Sequence, residues 1–231
     1  MADGPGKVGI VFVSHSVKIA EGLVELARQM APTTMMVAAG GTDEGGIGTS
    51  FTKVHEGIAA ADAGEGVVVL CDLGSAILTA ETVLDFLDDE QRDRVSIVDA
   101  PLVEGGVAAA VTAETGGDLT AVVRAAHSAR SLADEPPAET RQADARQTVT
   151  RRVTLRNRDG LHARPAAEFV QLASAFNADV TVNGRDAKSL LGIMGLGLNR
   201  GASVEISSSG DQAEAAVTAL VGLIESRFGE E

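Results

Sequence analysis

Tryptophan and tyrosine are absent from these 231 residues, phenylalanine occurs six times and cysteine once. Any core must therefore be filled by Val, Leu, Ile and Ala. The lone Cys71 excludes an internal disulfide and fits a reducing compartment. It ends a β-rich run, so it reads as a small buried hydrophobe rather than a nucleophile. No apolar run approaches the ~20 residues needed to span a bilayer. The opening Met1–Lys7 is too polar and too short for a signal peptide, which makes a cytoplasmic chain without membrane contact the expectation. Positive charge is also scarce, with 19 Lys and Arg against 33 Asp and Glu and a net charge of −14. No segment carries a basic surplus, so nucleic acid is not an expected partner. No cluster has metal-ligand spacing, and nothing calls for a cofactor. A Gly-x-Ser-x-Gly elbow is missing too, which weakens a hydrolase built on Ser14 or Ser16 with His15 and Asp72.

The acidity is uneven. Residues 1–130 hold 19 acidic and 8 basic side chains, whereas residues 149–231 hold 10 and 9. Between them, residues 131–148 are polar and contain a Pro-Pro pair, which reads as a linker. The chain is long enough for two modest cores. The pattern predicts residues 1–130 as one domain and 149–231 as another.

In the first half, Val8–Val13, Thr34–Ala39, Val67–Cys71 and Arg94–Val98 read as strands. Helical periodicity alternates with them, with Ala20, Leu23, Val24, Ala27 and Met30 as the first apolar face. Strands alternating with helices at this spacing predict an α/β fold with a doubly wound, mainly parallel sheet. Ligands in such sheets bind beyond the strand carboxyl ends, where strand order switches. His15, the glycine-rich loop 40–50, Asp72 and Pro101–Glu104 all fall on that edge. The loop has five glycines in eleven positions, and its N–H groups could approach an anion closely. A flexible connection explains it equally well. Thr49 or Ser50 is placed to cap the next helix, Phe51–Asp62, and Ser75 to cap a helix with Ala76, Leu78 or Thr79, Val83 and Leu87 inward. A carboxylate from Asp72 on one nitrogen of His15 would fix its tautomer and free the other nitrogen to attack phosphorus. Ser16, Thr42 and Ser75 are the candidate donors around a phosphoryl group. His55 and His127 lack any comparable context and read as surface residues.

The second half opens with a strand near 149–155 and continues into Gly160-Leu-His-Ala-Arg-Pro-Ala-Ala167. Pro165 suits the first turn of a helix, which places His162 at the N-cap. A phosphoryl group there would meet unpaired N–H groups, Ala163 among them, and the positive end of the helix dipole. Arg164 could add a bidentate clamp. Further strands near 179–183 and 203–208, the Asn183-Gly184 turn signal and helices near 163–176, 190–197 and 211–227 predict an α+β open-faced sandwich.

The string Asp-Gly-Leu-His-Ala-Arg-Pro-Ala-Ala resembles the active-site signature of HPr, the phosphocarrier of the sugar phosphotransferase system. The resemblance runs from about Thr148 and includes Ala187-Lys-Ser-Leu-Leu-Gly-Ile-Met-Gly-Leu196, similar to the segment with the regulatory serine. It implies that His162 takes phosphate from enzyme I, that Arg164 neutralises it and that Ser189 is the regulatory position. Val11-Phe-Val-Ser-His-Ser-Val, Gly48-Thr-Ser, Asp72-Leu-Gly-Ser-Ala-Ile-Leu-Thr-Ala-Glu81 and Ala100-Pro-Leu-Val-Glu-Gly105 are similar to the mannose-family EIIA domain of dihydroxyacetone kinase phosphotransferase subunits. That resemblance implies a relay from enzyme I through His162 and His15 to ADP on a partner kinase subunit. It also implies a homodimer through the EIIA half and, since the chain stops at Glu231, a separate enzyme I. Two rivals stay open: a component feeding a mannose-type sugar permease, and a regulatory phosphocarrier governed through Ser189.

Overall fold

The computed structural model describes residues 6–131, 148–158 and 160–230. The chain divides into two compact units, Met1–Arg130 and Ser131–Glu231. The proposed linker falls almost wholly outside the described residues.

The first unit runs β1 (Gly9–Ser14), α1 (Val17–Arg28), β2 (Met36–Gly40), α2 (Phe51–Ala61), β3 (Val67–Cys71), α3 (Gly74–Leu84), α4 (Asp89–Arg92), β4 (Val95–Val98), α5 (Leu102–Glu114) and α6 (Leu119–Ser131). Its four strands are all parallel, in the order β2-β1-β3-β4. Central strands buried on both faces need apolar side chains at every position. Both β1 and β3 are buried throughout. Helices α2 and α3 cover one face over Val11, Val13, Val69 and Cys71. Helices α1 and α5 pack against each other on the opposite face. The order reverses direction between β1 and β3, the crevice where open α/β sheets bind ligands.

Helix α3 departs from the expected pattern. It starts at Gly74 with Leu73 as N-cap, so Ser75 lies inside the first turn and caps nothing. Its buried stripe is Ala76, Ala80 and Val83. At 3.6 residues per turn, Leu78 falls roughly 200° round the helix from Ala76. It is 64% exposed.

The second unit runs β5 (Val149–Thr154), α7 (Ala163–Ser174), β6 (Asp179–Val182), β7 (Arg185–Asp186), α8 (Leu190–Met194), β8 (Ser203–Ser209) and α9 (Ala213–Glu225). Its sheet is antiparallel, ordered β5-β8-β6-β7. Strand β8 buries alternate residues, Val204, Ile206 and Ser208, the pattern of a sheet covered on one face. Phe169, Val170, Leu220 and Ile224 of α7 and α9 are buried with them. Asn183 and Gly184 both have positive φ, 47° and 80°, as a tight hairpin turn requires.

Gly9 marks the tightest helix–strand approach in the first unit, because a Cβ there would stand 2.1 Å from the Ala61 carbonyl oxygen. Replacing Gly9 with Ala is expected to destabilise this unit by roughly 1–3 kcal/mol or more, an overpacking cost that backbone atoms cannot relieve. Urea unfolding followed by circular dichroism measures it. The second unit's transition should stay unchanged.

Candidate functional site

His15 follows directly on β1, and Asp72 follows directly on β3. Two strands apart in sequence, they are neighbours in the sheet. The His15 Nδ1 lies 2.9 Å from Asp72 Oδ1. The same carboxylate accepts from the His15 amide (2.8 Å), the Ser14 hydroxyl (2.8 Å) and the Leu73 amide (2.8 Å). The ring's other nitrogen, Nε2, lies 2.8 Å from Ser75 Oγ. Ser75 lies in the first turn because α3 begins two residues earlier than a Ser75 cap would place it. The His15 side chain keeps 22% of its surface exposed, so the ring stands at an open edge.

The glycine-rich loop has a different role from the anion cradle its composition suggests. Several of its amides already have acceptors: Gly41 the Ser14 carbonyl at the end of β1, Gly45 the Thr42 carbonyl and Gly46 the Thr42 hydroxyl. The Gly48 amide donates to the His15 carbonyl at 2.9 Å. Lys53 clamps the loop from α2 through the Gly40 and Thr42 carbonyls, and the Ser50 hydroxyl donates to Asp43 while capping α2 through the Lys53 amide. The loop is therefore a brace behind His15. The Thr42 hydroxyl accepts from the Gly46 amide within the loop. Ser16 is the N-cap of α1 without a side-chain cap bond, and its amide donates to Ser14 Oγ.

In the second unit His162 is the N-cap of α7. Pro165 has no N–H, so Ala163 and Arg164 supply the amides of the first turn that follow the cap. Gly160 sets the approach: its φ is +71° and a Cβ would lie 2.1 Å from the Leu198 carbonyl oxygen. The Leu161 amide donates to that same carbonyl. Arg164 is exposed, and its Nε lies 3.3 Å from Glu168 rather than over the imidazole. Glu230, unforeseen in the sequence, brings Oε1 to 3.4 Å from His162 Nε2. Ser189 caps α8, its hydroxyl accepting from the Gly192 amide. His127 is exposed, whereas His55 is half-buried and stacked on Phe51. Among the described residues there is no group of side chains fit to hold a metal and no helix long and apolar enough to cross a membrane.

Electrostatics distinguish Asp72 from its neighbour Cys71. Burial, with the charges of Asp72 and Glu81 adding to it, pushes the Cys71 thiol up to about 12, so it is inert as a nucleophile. Burial also pushes the Asp72 carboxyl upward. Hydrogen bonds from the His15 ring, the His15 amide and the Ser14 hydroxyl, with the His15 charge, outweigh it, and the net displacement is downward. A depressed carboxyl stabilises the fold above its unfolded-state pKa, and that contribution is lost as pH falls through the folded value. At pH 7, Asp72→Asn is expected to cost the first unit about 1–3 kcal/mol, the scale of hydrogen bonds to a charged group. As pH falls below the ordinary carboxyl range and through the depressed Asp72 value, the difference between wild type and variant should shrink. Urea midpoints across this range test it.

Residues 9–123 match the family EIIA-man, described as PTS system fructose IIA component. Residues 149–226 match the family PTS-HPr, described as PTS HPr component phosphorylation site. The PEP-dependent dihydroxyacetone kinase phosphoryl donor subunit DhaM of Pantoea ananatis is 39% identical over 96% of this chain and 51% of its own length. The chain thus spans about half the length of such longer relatives. A shorter relative, the phosphoryl donor subunit DhaM of dihydroxyacetone kinase 2 in Listeria innocua, is 46% identical over 45% of this chain and 84% of its own. The crystal structure of a protein of unknown function, EF1359, shares 39% identity with a TM-score of 0.50, covering 53% of this chain and 95% of that one. With an EIIA-man region followed by an HPr region and these relatives, the chain belongs to the family of phosphoryl donor subunits of PEP-dependent dihydroxyacetone kinases.

Proposed function

We propose that this chain carries phosphoryl groups for a phosphoenolpyruvate-dependent dihydroxyacetone kinase. In this reading residues 1–130 are a mannose-type EIIA domain that pairs as a homodimer, 131–148 a linker and 149–231 an HPr domain. Enzyme I phosphorylates His162, His162 passes the group to His15, and His15 delivers it to ADP held on the partner kinase subunit. The work is cytoplasmic.

The observation that carries the proposal is the hydrogen-bonding of the His15 ring. With Nδ1–H donated to Asp72 at 2.9 Å, the lone pair of the neutral ring sits on Nε2. Phosphoryl transfer asks mainly for positioning and for donors around the transferred oxygens. As an N–P bond forms at Nε2, the bond from phosphorus to the donor nitrogen breaks and the donor keeps that electron pair. The Ser75 hydroxyl, now 2.8 Å from Nε2, is placed to turn onto a phosphoryl oxygen. The first turn of α3, which begins at Gly74, brings backbone dipoles of the right sign to that edge. On the HPr side, the amides of Ala163 and Arg164 take the corresponding role at His162. Ser189 is the proposed regulatory position, where a phosphate would stand at the start of α8.

Incubation with phosphoenolpyruvate, enzyme I and isotopically labelled phosphate, followed by mapping, tests the relay. His15→Ala should retain label on His162 alone, and His162→Ala should lose all labelling from enzyme I. Both labels should be acid-labile and base-stable, unlike phosphoserine. Labelling of His15 at the wild-type rate in His162→Ala would refute the internal relay. Transfer onward to a permease EIIB domain, but not to the ADP-bearing kinase subunit, would reassign the acceptor.

A further inference from the structure

The backbone on either side of the His15 ring is fully engaged. The Ser14 carbonyl accepts from the Gly41 amide, the His15 carbonyl from the Gly48 amide and the Ser16 carbonyl from the Ile19 and Ala20 amides. The His15 amide donates to Asp72 Oδ2. The Ser16 amide donates to a side chain, Ser14 Oγ, at 3.1 Å. A serine oxygen that accepts from the amide two residues on closes a small ring across the residue between them. Here that residue is His15. The far end of this ring has no slack, because a Cβ on Gly40 would stand 2.7 Å from the Ser16 carbonyl oxygen and from Val17 Cα. Strand β2 thus presses on the entry to α1.

The Ser14 hydroxyl has a second partner. The side chain is fully buried, at 0% exposure, and its Oγ lies 2.8 Å from Asp72 Oδ2. An ionised carboxylate only accepts, so Ser14 gives its single proton there. One oxygen therefore joins the end of β3 to the start of α1, with His15 between them. The carboxylate divides its own bonds evenly: Oδ2 takes the Ser14 hydroxyl and the His15 amide, Oδ1 the His15 ring and the Leu73 amide. A hydroxyl with its proton and a lone pair so committed, out of reach of solvent, is no nucleophile. Deleting it would orphan the Ser16 amide and leave Asp72 one donor short.

We infer that Ser14 is a positioning residue for phosphoryl transfer at His15: its hydroxyl ties the His15 peptide to Asp72 and to the start of α1, and so fixes where the ring points. The inference rests on the phosphoryl-carrier reading of His15 and deepens it. Ser14 exchanges no bond in the step. The imidazole hangs from its peptide through single bonds, so a tilt of the peptide is magnified at Nε2. Transfer is sensitive to such errors, since a misplacement of about 1 Å can cost about a hundredfold in rate. Without Ser14 the Asp72 carboxylate keeps three donors, the His15 ring, the His15 amide and the Leu73 amide. The ring tautomer therefore survives the loss while the ring's placement loosens.

The full-length chain, loaded from labelled phosphoenolpyruvate through enzyme I, tests this. In Ser14→Ala, His162 should load at the wild-type rate while label passes on to His15 roughly tenfold more slowly, the scale of one lost bond to a charged group. Ser14→Thr keeps the hydroxyl on a residue type that strands accept, and should return the step to within about twofold of wild type. Proton spectra of nitrogen-15-labelled histidine should show the His15 Nδ1 proton exchanging with water faster in Ser14→Ala, and at the wild-type rate in Ser14→Thr. A merely structural Ser14 predicts a lower urea midpoint in Ser14→Ala with transfer and proton exchange unchanged, and that result overturns the inference. Equal losses in the two variants assign the effect to side-chain volume rather than to the hydroxyl, and overturn it as well. A wild-type chain that puts no label on His15, yet shows the faster exchange in Ser14→Ala, overturns the carrier reading and leaves the Ser14 contact standing.

Discussion

One carboxylate organises the first unit's functional edge. Asp72 accepts from the His15 ring, the His15 amide, the Ser14 hydroxyl and the Leu73 amide. Those donors come from the carboxyl ends of β1 and β3, the two strands flanking the reversal in strand order. A buried charge is costly unless hydrogen bonds satisfy it, and here the bonds prevail over burial. Asp72 can therefore hold the imidazole in one orientation and one tautomer only while the parallel sheet keeps those strand ends together. The apolar filling of β1 and β3 is what sets the ring geometry. The glycine-rich loop completes the mount from behind, through Gly48 on the His15 carbonyl.

The second unit reaches a comparable arrangement by different means. His162 stands at a helix N-cap on an antiparallel α+β frame, and its carboxylate comes from the far end of the chain rather than from an adjacent strand. Asn157 donates to Glu230 across 73 residues of chain. In each unit the histidine is exposed enough to meet a partner, one ring nitrogen faces a carboxylate, and the first turn of a helix lies beside the ring. A carrier must accept and release the same group at little energetic difference. Rings mounted at open edges, with few groups to rearrange, suit that requirement.

How much of this was legible in sequence varied with how local its cause is. The unbroken apolar run Val67–Cys71 could only be a buried strand, and Asn183-Gly184 could hardly be other than a tight turn. Pro165 placed the start of α7, and with it the cap position of His162. The His15–Asp72 partnership could be inferred because both residues end strands, although their adjacency depends on the order β2-β1-β3-β4, which the sequence does not spell out. Ser75, a candidate both as cap and as donor, stands beside the His15 ring but caps nothing, since the helix begins at Gly74. Composition suggests Thr42 and the glycines as phosphate donors; what it does not show is that the Gly41 and Gly48 amides bond the Ser14 and His15 carbonyls and that the Thr42 hydroxyl accepts from Gly46. Glu230 gave no local signal: an acidic residue in a polar stretch acquires its place through the left-handed turn at Arg227 and Phe228 and the burial of Phe228.

The central claim is that Asp72 holds Nδ1 of His15 so that the opposite nitrogen carries the phosphoryl group. Phosphorus-coupled nitrogen-15 spectra of the chain, labelled on histidine and phosphorylated through enzyme I, read this directly. The account predicts a one-bond coupling to Nε2 of His15, with Nδ1 still bearing hydrogen. Coupling to Nδ1 of His15 would contradict it, because that nitrogen could not hold phosphorus and donate to Asp72 at once.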